Sequence, residues 1–342
     1  MIQSQHPIII QGGMGAAVSS WPLAKAVSLT GQLGVVSGTA LDAVLVRRLQ
    51  LGDVGGHIRR ALAEFPLPGI AERVLDRFFV PDGKRSDASF ASLKLLREAP
   101  SHARKALIVL SNYVEVFLAK ESHKGMVGVN YLEKIQLPTL PSLFGALLAG
   151  VDYVLMGAGI PTSIPGAIER LCDGKSAELP LRVEEAERDD NYLLQFDPEE
   201  FTKERSPRLR RPKFLPIVAS ATLATMLSRK SNGVVDGFVV EGSTAGGHNA
   251  PPRGKMQLND RGEPIYGERD ALDKKAMQSL GLPYWLAGST GSPEQVANAL
   301  AGGAAGVQVG TAFAFCDESG LREDIRREVI QSSKTGDLDV RT

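Results

Sequence analysis

Residues 284–311 read YWLAGSTGSPEQVANALAGGAAGVQVGT, and this stretch decides the fold. A short apolar run, Tyr284 to Leu286, stops at Ala287-Gly288-Ser289-Thr290. A helix follows, with Ser292 as its cap, Pro293 in the first turn and Gln295 completing a capping box. Val296, Ala299 and Leu300 form its apolar stripe at helical spacing. A second apolar run, Val307 to Val309, then ends in Gly310-Thr311. Strand, glycine turn, capped helix and strand make one βαβ unit, and apolar runs without alternation suit strands covered on both faces.

The same unit recurs along the chain. Further apolar runs lie at Pro7–Ile10, Leu33–Val36, Met126–Val129, Tyr153–Met156, Phe214–Val218 and Gly237–Val240, most ending in glycine or a small polar residue. Helical segments are expected at Leu23–Leu29, Leu41–Leu51, Ser142–Ala149, Ile164–Leu171, Ala221–Ser228, Pro293–Leu300 and Leu321–Ile330. Eight strands alternating with helices predict an α/β fold, a (β/α)8 TIM barrel with helical and loop insertions, spanning 1–342 as a single domain. The insertions fall at about 52–105, 173–212 and 249–267. The first carries amphipathic helices at Val54–Phe65 and Ile70–Phe79. The second is charged, with a hairpin around Glu187–Asn191, and its run Glu184–Asp190 reads as a solvated face. The third, rich in proline and glycine, reads as an ordered loop or lid.

Composition narrows the class. Thirty-nine basic residues balance 39 acidic ones among 342, so nothing favours nucleic acid or a membrane surface as partner. Hydrophobic residues, 43% of the chain, suffice for a large core. Cys172 and Cys316 form no metal or redox motif and read as reduced thiols of a cytoplasmic protein. No secretory leader and no membrane-length apolar run is visible.

Three groups of residues could carry chemistry. The backbone amides of Gly288, Ser289, Gly310 and Thr311 follow the seventh and eighth strands, where barrels often hold phosphate. The alternative is that these glycines only permit strand-to-helix turns. After the sixth strand, Glu241-Gly242-Ser243-Thr244-Ala245-Gly246-Gly247-His248 places an imidazole on a loop at the expected catalytic end. His248 reads equally as a general base or as a structural histidine. His6, His57, His102 and His123 lack such a setting, and no cluster has metal-ligand spacing. Gln11-Gly12-Gly13-Met14 and Asn130 sit at strand ends, where they either meet a polar heterocycle or close turns. Trp21 and Trp285 read as packing residues.

Together, Pro7–Met14, Gly128-Val129-Asn130, Ala245-Gly246-Gly247-His248 and Gly306–Thr311 resemble the nitronate monooxygenase family, and flavin-dependent enoyl-acyl carrier protein reductases share this architecture. The resemblance implies an FMN barrel without a tightly bound metal. It places Gln11 to Met14, Asn130, Gly246 and Gly247 around the cofactor, phosphate contacts at Gly288–Thr290 and Gly310–Thr311, and His248 facing a small-molecule substrate. Gly288-Ser289 stands where the family often has Gly-Gly, and Asn249-Ala250-Pro251-Pro252 follows His248 in place of Arg-Gly. The leading expectation is oxidation of alkyl nitronates with O2, His248 acting as base. The alternatives are an NAD(P)H-dependent enoyl-thioester reductase, with an acyl carrier protein as partner, and a non-catalytic flavin-binding synthase subunit. A homo-oligomer is compatible with either enzyme.

Overall fold

The computed structural model describes residues 6–67, 69–185, 187, 190–202, 208–246 and 250–339. Ten strands are formed among them: β1 (Ile9–Gln11), β2 (Gly34–Ser37), β3 (Val127–Leu132), β4 (Tyr153–Gly157), β5 (Ala177–Pro180), β6 (Leu193–Phe196), β7 (Lys213–Val218), β8 (Phe238–Glu241), β9 (Tyr284–Ala287) and β10 (Gly306–Val309). Eight of them lie in the order β1-β10-β9-β8-β7-β4-β3-β2, every neighbour parallel. A parallel bridge between Ile10 and Leu33 brings β1 back to β2. Two backbone bonds support it, Gln11 N–H to the Leu33 carbonyl at 3.0 Å and Leu33 N–H to the Ile9 carbonyl at 3.1 Å. The sheet is thereby a barrel, as the sequence predicts, with its strands on the eight expected runs.

Two apolar layers hold it. Inside the barrel, Ile10, Leu33, Val35, Tyr153, Leu155, Leu215, Val239, Trp285 and Ala287 pack together. Outside, the opposite faces of the strands meet the helices in a larger core. Apolar runs without alternation therefore have a direct cause: both faces of each strand are covered. Trp285 is wholly buried and donates its indole N–H to the Pro7 carbonyl at 2.7 Å, a packing role as expected.

The insertions resolve as follows. The first holds a 3₁₀ turn at Val54–Gly56, helices at His57–Ala63 and Ile70–Phe78, and an exposed irregular stretch from 81 to 100. It stops short of residue 105, because a helix unforeseen in the sequence, His102–Lys120, begins there. That helix packs against β2 and β3 and is itself covered by Trp21–Leu29, Leu41–Gln50, His57–Ala63, Ile70–Phe78 and Thr139–Leu148. Gly145 makes the last contact possible: a Cβ there would lie 2.1 Å from the Val109 carbonyl oxygen. The buried Glu115 carboxylate accepts the Trp21 N–H at 2.7 Å and the Arg48 guanidinium at 2.7 Å. It thus caps the helix Trp21–Leu29, whose own Ser20 makes no side-chain cap. The second insertion is an antiparallel hairpin, β5 with β6. In the third, Leu258 bridges Pro264 around a turn at Asn259–Glu263. The last helix runs Glu323–Thr335. No described helix is long and apolar enough to cross a membrane.

Candidate functional site

In a strand, alternate side chains share a face, and parallel register carries that alternation from one strand to the next. Val239, Trp285 and Ala287 face the interior; Glu241 registers with Ala287, and Gln308 with the same residue from the other side. Glu241 and Gln308 therefore turn inward at the C-terminal ends of β8 and β10. Asn130 registers with the interior residue Leu155 and turns inward at β3. This is the end of a parallel barrel at which active sites are built.

Neighbouring loops close around that opening. A Cβ on Gly13 would stand 2.4 Å from the Asn130 Cβ, so only glycine lets the β1 loop pass over Asn130. Gly12 donates its N–H to the Val309 carbonyl at 2.8 Å, and Met14 donates to the Ser19 hydroxyl at 2.9 Å. The Met14 sulfur lies near Gly310. Thr290 donates its hydroxyl to the Gln308 carbonyl at 3.1 Å, tying the β9 loop to β10. Gly288 runs so close to the loop after β8 that a Cβ would meet the Ala245 nitrogen at 2.9 Å. Gly246, in that loop, is exposed. Gly247 and His248 lie outside the described residues.

Gln11 behaves differently from a contact residue. It is fully buried, its amide oxygen accepts the Val35 N–H at 2.9 Å, and its amide nitrogen donates to Ser19 at 3.0 Å. Its side chain thereby holds the β1 turn. Asn130 is nearly buried and donates to the Tyr131 carbonyl at 3.2 Å.

Two features concern ligand chemistry. Among the described residues, the backbone amides of Gly288, Ser289, Thr290, Gly310 and Thr311 donate to no protein group. Gly288 (φ 104°) and Ser289 (φ 51°) are both left-handed, a conformation costly for serine and suited to directing successive amides at an anion. Sequence reasoning named all five residues but missed the second feature. Among the described residues, the buried Gln308 side-chain oxygen has no hydrogen-bond partner. Glu241 was missed with it; burial pushes its carboxyl up to about 7. Neither could be singled out until register showed which face of each strand is the interior.

Outside the barrel wall, a small hollow of about 70 Å³ separates the loops after β3 and β4 from the β5–β6 hairpin. Glu133 and Arg182, 3.3 Å apart, line it with Ile160 and Leu194. The other histidines are engaged elsewhere: His57 against Trp21, His102 stacked on Phe201, His123 on the Ala119 carbonyl, His6 edge-on to Trp285. No group of three or more metal-ligating side chains occurs among the described residues.

Fold and opening together define a parallel (β/α)8 barrel with unengaged backbone amides at the ends of its last two strands. Residues 199–342, which supply β7 to β10 and those amides, match the family model described as nitronate monooxygenase. A probable nitronate monooxygenase of Staphylococcus haemolyticus is 30% identical over 135 residues, 39% of this chain and 36% of that protein. One of Bacillus subtilis is 31% identical over 144 residues, 42% of this chain and 38% of the relative. The matched stretch thus spans little more than a third of these relatives. The solved structure of FabK from Thermotoga maritima superposes with a TM-score of 0.52 at 19% identity, over 98% of this chain and 70% of that one, a likeness of fold. The resemblance to the nitronate monooxygenase family read from the sequence stands.

Proposed function

We propose that this chain is a flavin-dependent oxidoreductase that holds FMN at the barrel mouth and oxidises alkyl nitronates with O2. The unengaged amides after β9 and β10, within the stretch similar to nitronate monooxygenases, carry the reading. The residues present fit such a cofactor. Gly288, Ser289, Thr290, Gly310 and Thr311 offer backbone donors suited to a terminal phosphate. The Gln308 oxygen is a buried acceptor lacking a donor among the described residues, a costly state that a heterocycle with a ring N–H relieves. Asn130 and the Gly12–Met14 backbone border the same opening. Gln11 acts indirectly, by fixing that turn.

A bound flavin supplies the electron-transfer chemistry; the chain's own residues orient it and manage protons. His248 is proposed to take the proton beside the nitro group of a neutral nitroalkane, general-base help typically worth about 10²–10⁴-fold. Replacing His248 with alanine should cut turnover of the neutral nitroalkane while sparing FMN binding. Unchanged turnover rejects the role. The barrel, 1–342, is read as one FMN-binding domain, and the free thiols Cys172 and Cys316 fit the reducing cytoplasm.

The test is an absorbance spectrum of the purified protein, followed anaerobically by NADPH and then a nitronate. Flavin bands bleached by the nitronate and not by NADPH are the expected result. Bleaching by NADPH, with reoxidation by an enoyl thioester, would replace the monooxygenase with a reductase. A protein that neither contains nor takes up FMN would end the flavin reading.

A further inference from the structure

Glu241 is the acidic residue at the inward face of the mouth. It closes β8 two residues beyond Val239 and registers with Ala287, both interior residues. Among the described residues it has no ion pair and no hydrogen-bond donor to its side chain. Its inward-facing neighbours on the adjoining strands are Ile217 on β7, Ala287 on β9 and, one strand further, Gln308 on β10; Gly157 and Asn130 face inward on β4 and β3. None of these titrates. The charged and titratable inward groups of β7 and β4, Lys213 and Tyr153, sit at the opposite ends of their strands and contact each other at 5.5 Å. Among the described residues, the first positions beyond β8 and β9 offer the hydroxyls of Ser243, Thr244, Ser289 and Thr290. The charged residues of the loop after β8, Arg253 to Asp273, come later in the chain; of these, Arg261, Glu263, Asp270 and Asp273 engage partners other than Glu241. His248 lies outside the described residues. Glu241 and Gln308 stand on either side of β9, which by strand spacing puts their backbones roughly 10 Å apart, about the width of a fused heterocycle.

We propose that Glu241 binds the cofactor as a neutral acid, donating a hydrogen bond to a ring carbonyl of the heterocycle while Gln308 accepts from a ring N–H. The inference rests on the flavin reading. Among the described residues no cation pairs with this carboxyl to hold it charged, so burial favours the neutral form, which carries the one O–H donor a carbonyl needs. A charged carboxylate would instead face the carbonyl with like polarity. Cofactor binding is therefore coupled to one proton on Glu241, and affinity falls as that proton leaves. The burial that pushes the carboxyl up to about 7 places the loss at and above neutrality.

The experiment is FMN titration of the full chain at pH 6 and pH 8.5, read by quenching of flavin fluorescence, for the unaltered protein, Glu241→Gln and Glu241→Ala. The unaltered protein should lose about tenfold or more in affinity between the two pH values. Glu241→Gln, which keeps an N–H donor at every pH, should show only the change due to the phosphate's own ionisation, common to all three proteins. Its affinity at pH 8.5 should exceed that of the unaltered protein. Glu241→Ala should bind weakly at both pH values. As a second readout, the ¹³C carboxyl resonance of Glu241 should titrate near neutrality without FMN and move higher with it. If FMN binds but the unaltered protein and Glu241→Gln share one pH profile, the role of Glu241 is refuted and the flavin reading stands. If FMN binds to none of the three, both are refuted.

Discussion

At Gly13 a single hydrogen atom separates a passable loop from a blocked one. A methyl group there would stand 2.4 Å from the Asn130 Cβ, and Asn130 cannot retreat because its strand pairs with both β2 and β4. Gly13→Ala is expected to cost about 1–3 kcal/mol of stability and to weaken FMN binding. Urea unfolding and flavin titration of the variant check both. Glu241 makes a prediction of the opposite sign. Its folded value, raised to about 7 from 4.5, means that the native protein holds more protons than the unfolded chain between those limits. Stability attached to this carboxyl is thus fully present below about pH 4.5 and lost as pH rises through 7. Glu241→Gln should be the more stable protein at pH 8, by no more than about 3 kcal/mol, with the gap closing by pH 4.5. Thermal melts across that range measure it; a gap independent of pH would contradict the assignment.

The helix His102–Lys120 shows why one element escaped sequence reading. From Ala106 to Val116 every residue is buried, because strands lie under it and five helices lie around it. A helix apolar on all sides has no 3.6-residue stripe, and the periodic signal that revealed Pro293–Ala301 vanishes. Polar residues inside such a helix need partners. Asn112 donates to the Ile108 carbonyl at 2.9 Å and accepts the Tyr131 hydroxyl at 2.8 Å, while Glu115 serves Trp21 and Arg48. Glu115→Ala should cost about 2–4 kcal/mol, since it strips a cap from one helix and a partner from a partly buried guanidinium. Glu115→Gln, which retains an acceptor for Trp21, should recover part of that loss in denaturant melts. The helix Pro293–Ala301 carries the capping box read from sequence, Ser292 and Gln295 bonding reciprocally at 3.2 and 3.0 Å.

For the molecule as a whole, the proposed cofactor should act as part of the fold. Loops after β1, β8, β9 and β10 converge on one opening, so a ligand spanning them stabilises the native state by mass action. FMN at about 100 times its Kd should add about 2.7 kcal/mol, seen as a higher Tm, and riboflavin without the phosphate should add less. Equal effects would argue against the amides after β9 and β10 as the phosphate site. Local chemistry along the linear chain encodes the eight strand runs, the glycine turns that end them, and the box at Ser292. Each depends on residues a few positions apart. Sequence reading also named Gly288–Thr290, Gly310 and Thr311, because glycine-rich strand ends are visible in a linear chain. The remaining features depend on contacts between distant parts of the chain. When both faces of a strand are apolar, a period of two marks two faces but not which one is the interior, so Glu241 and Gln308 became mouth residues, and Gln11 a buried tie, only through the register of the closed barrel.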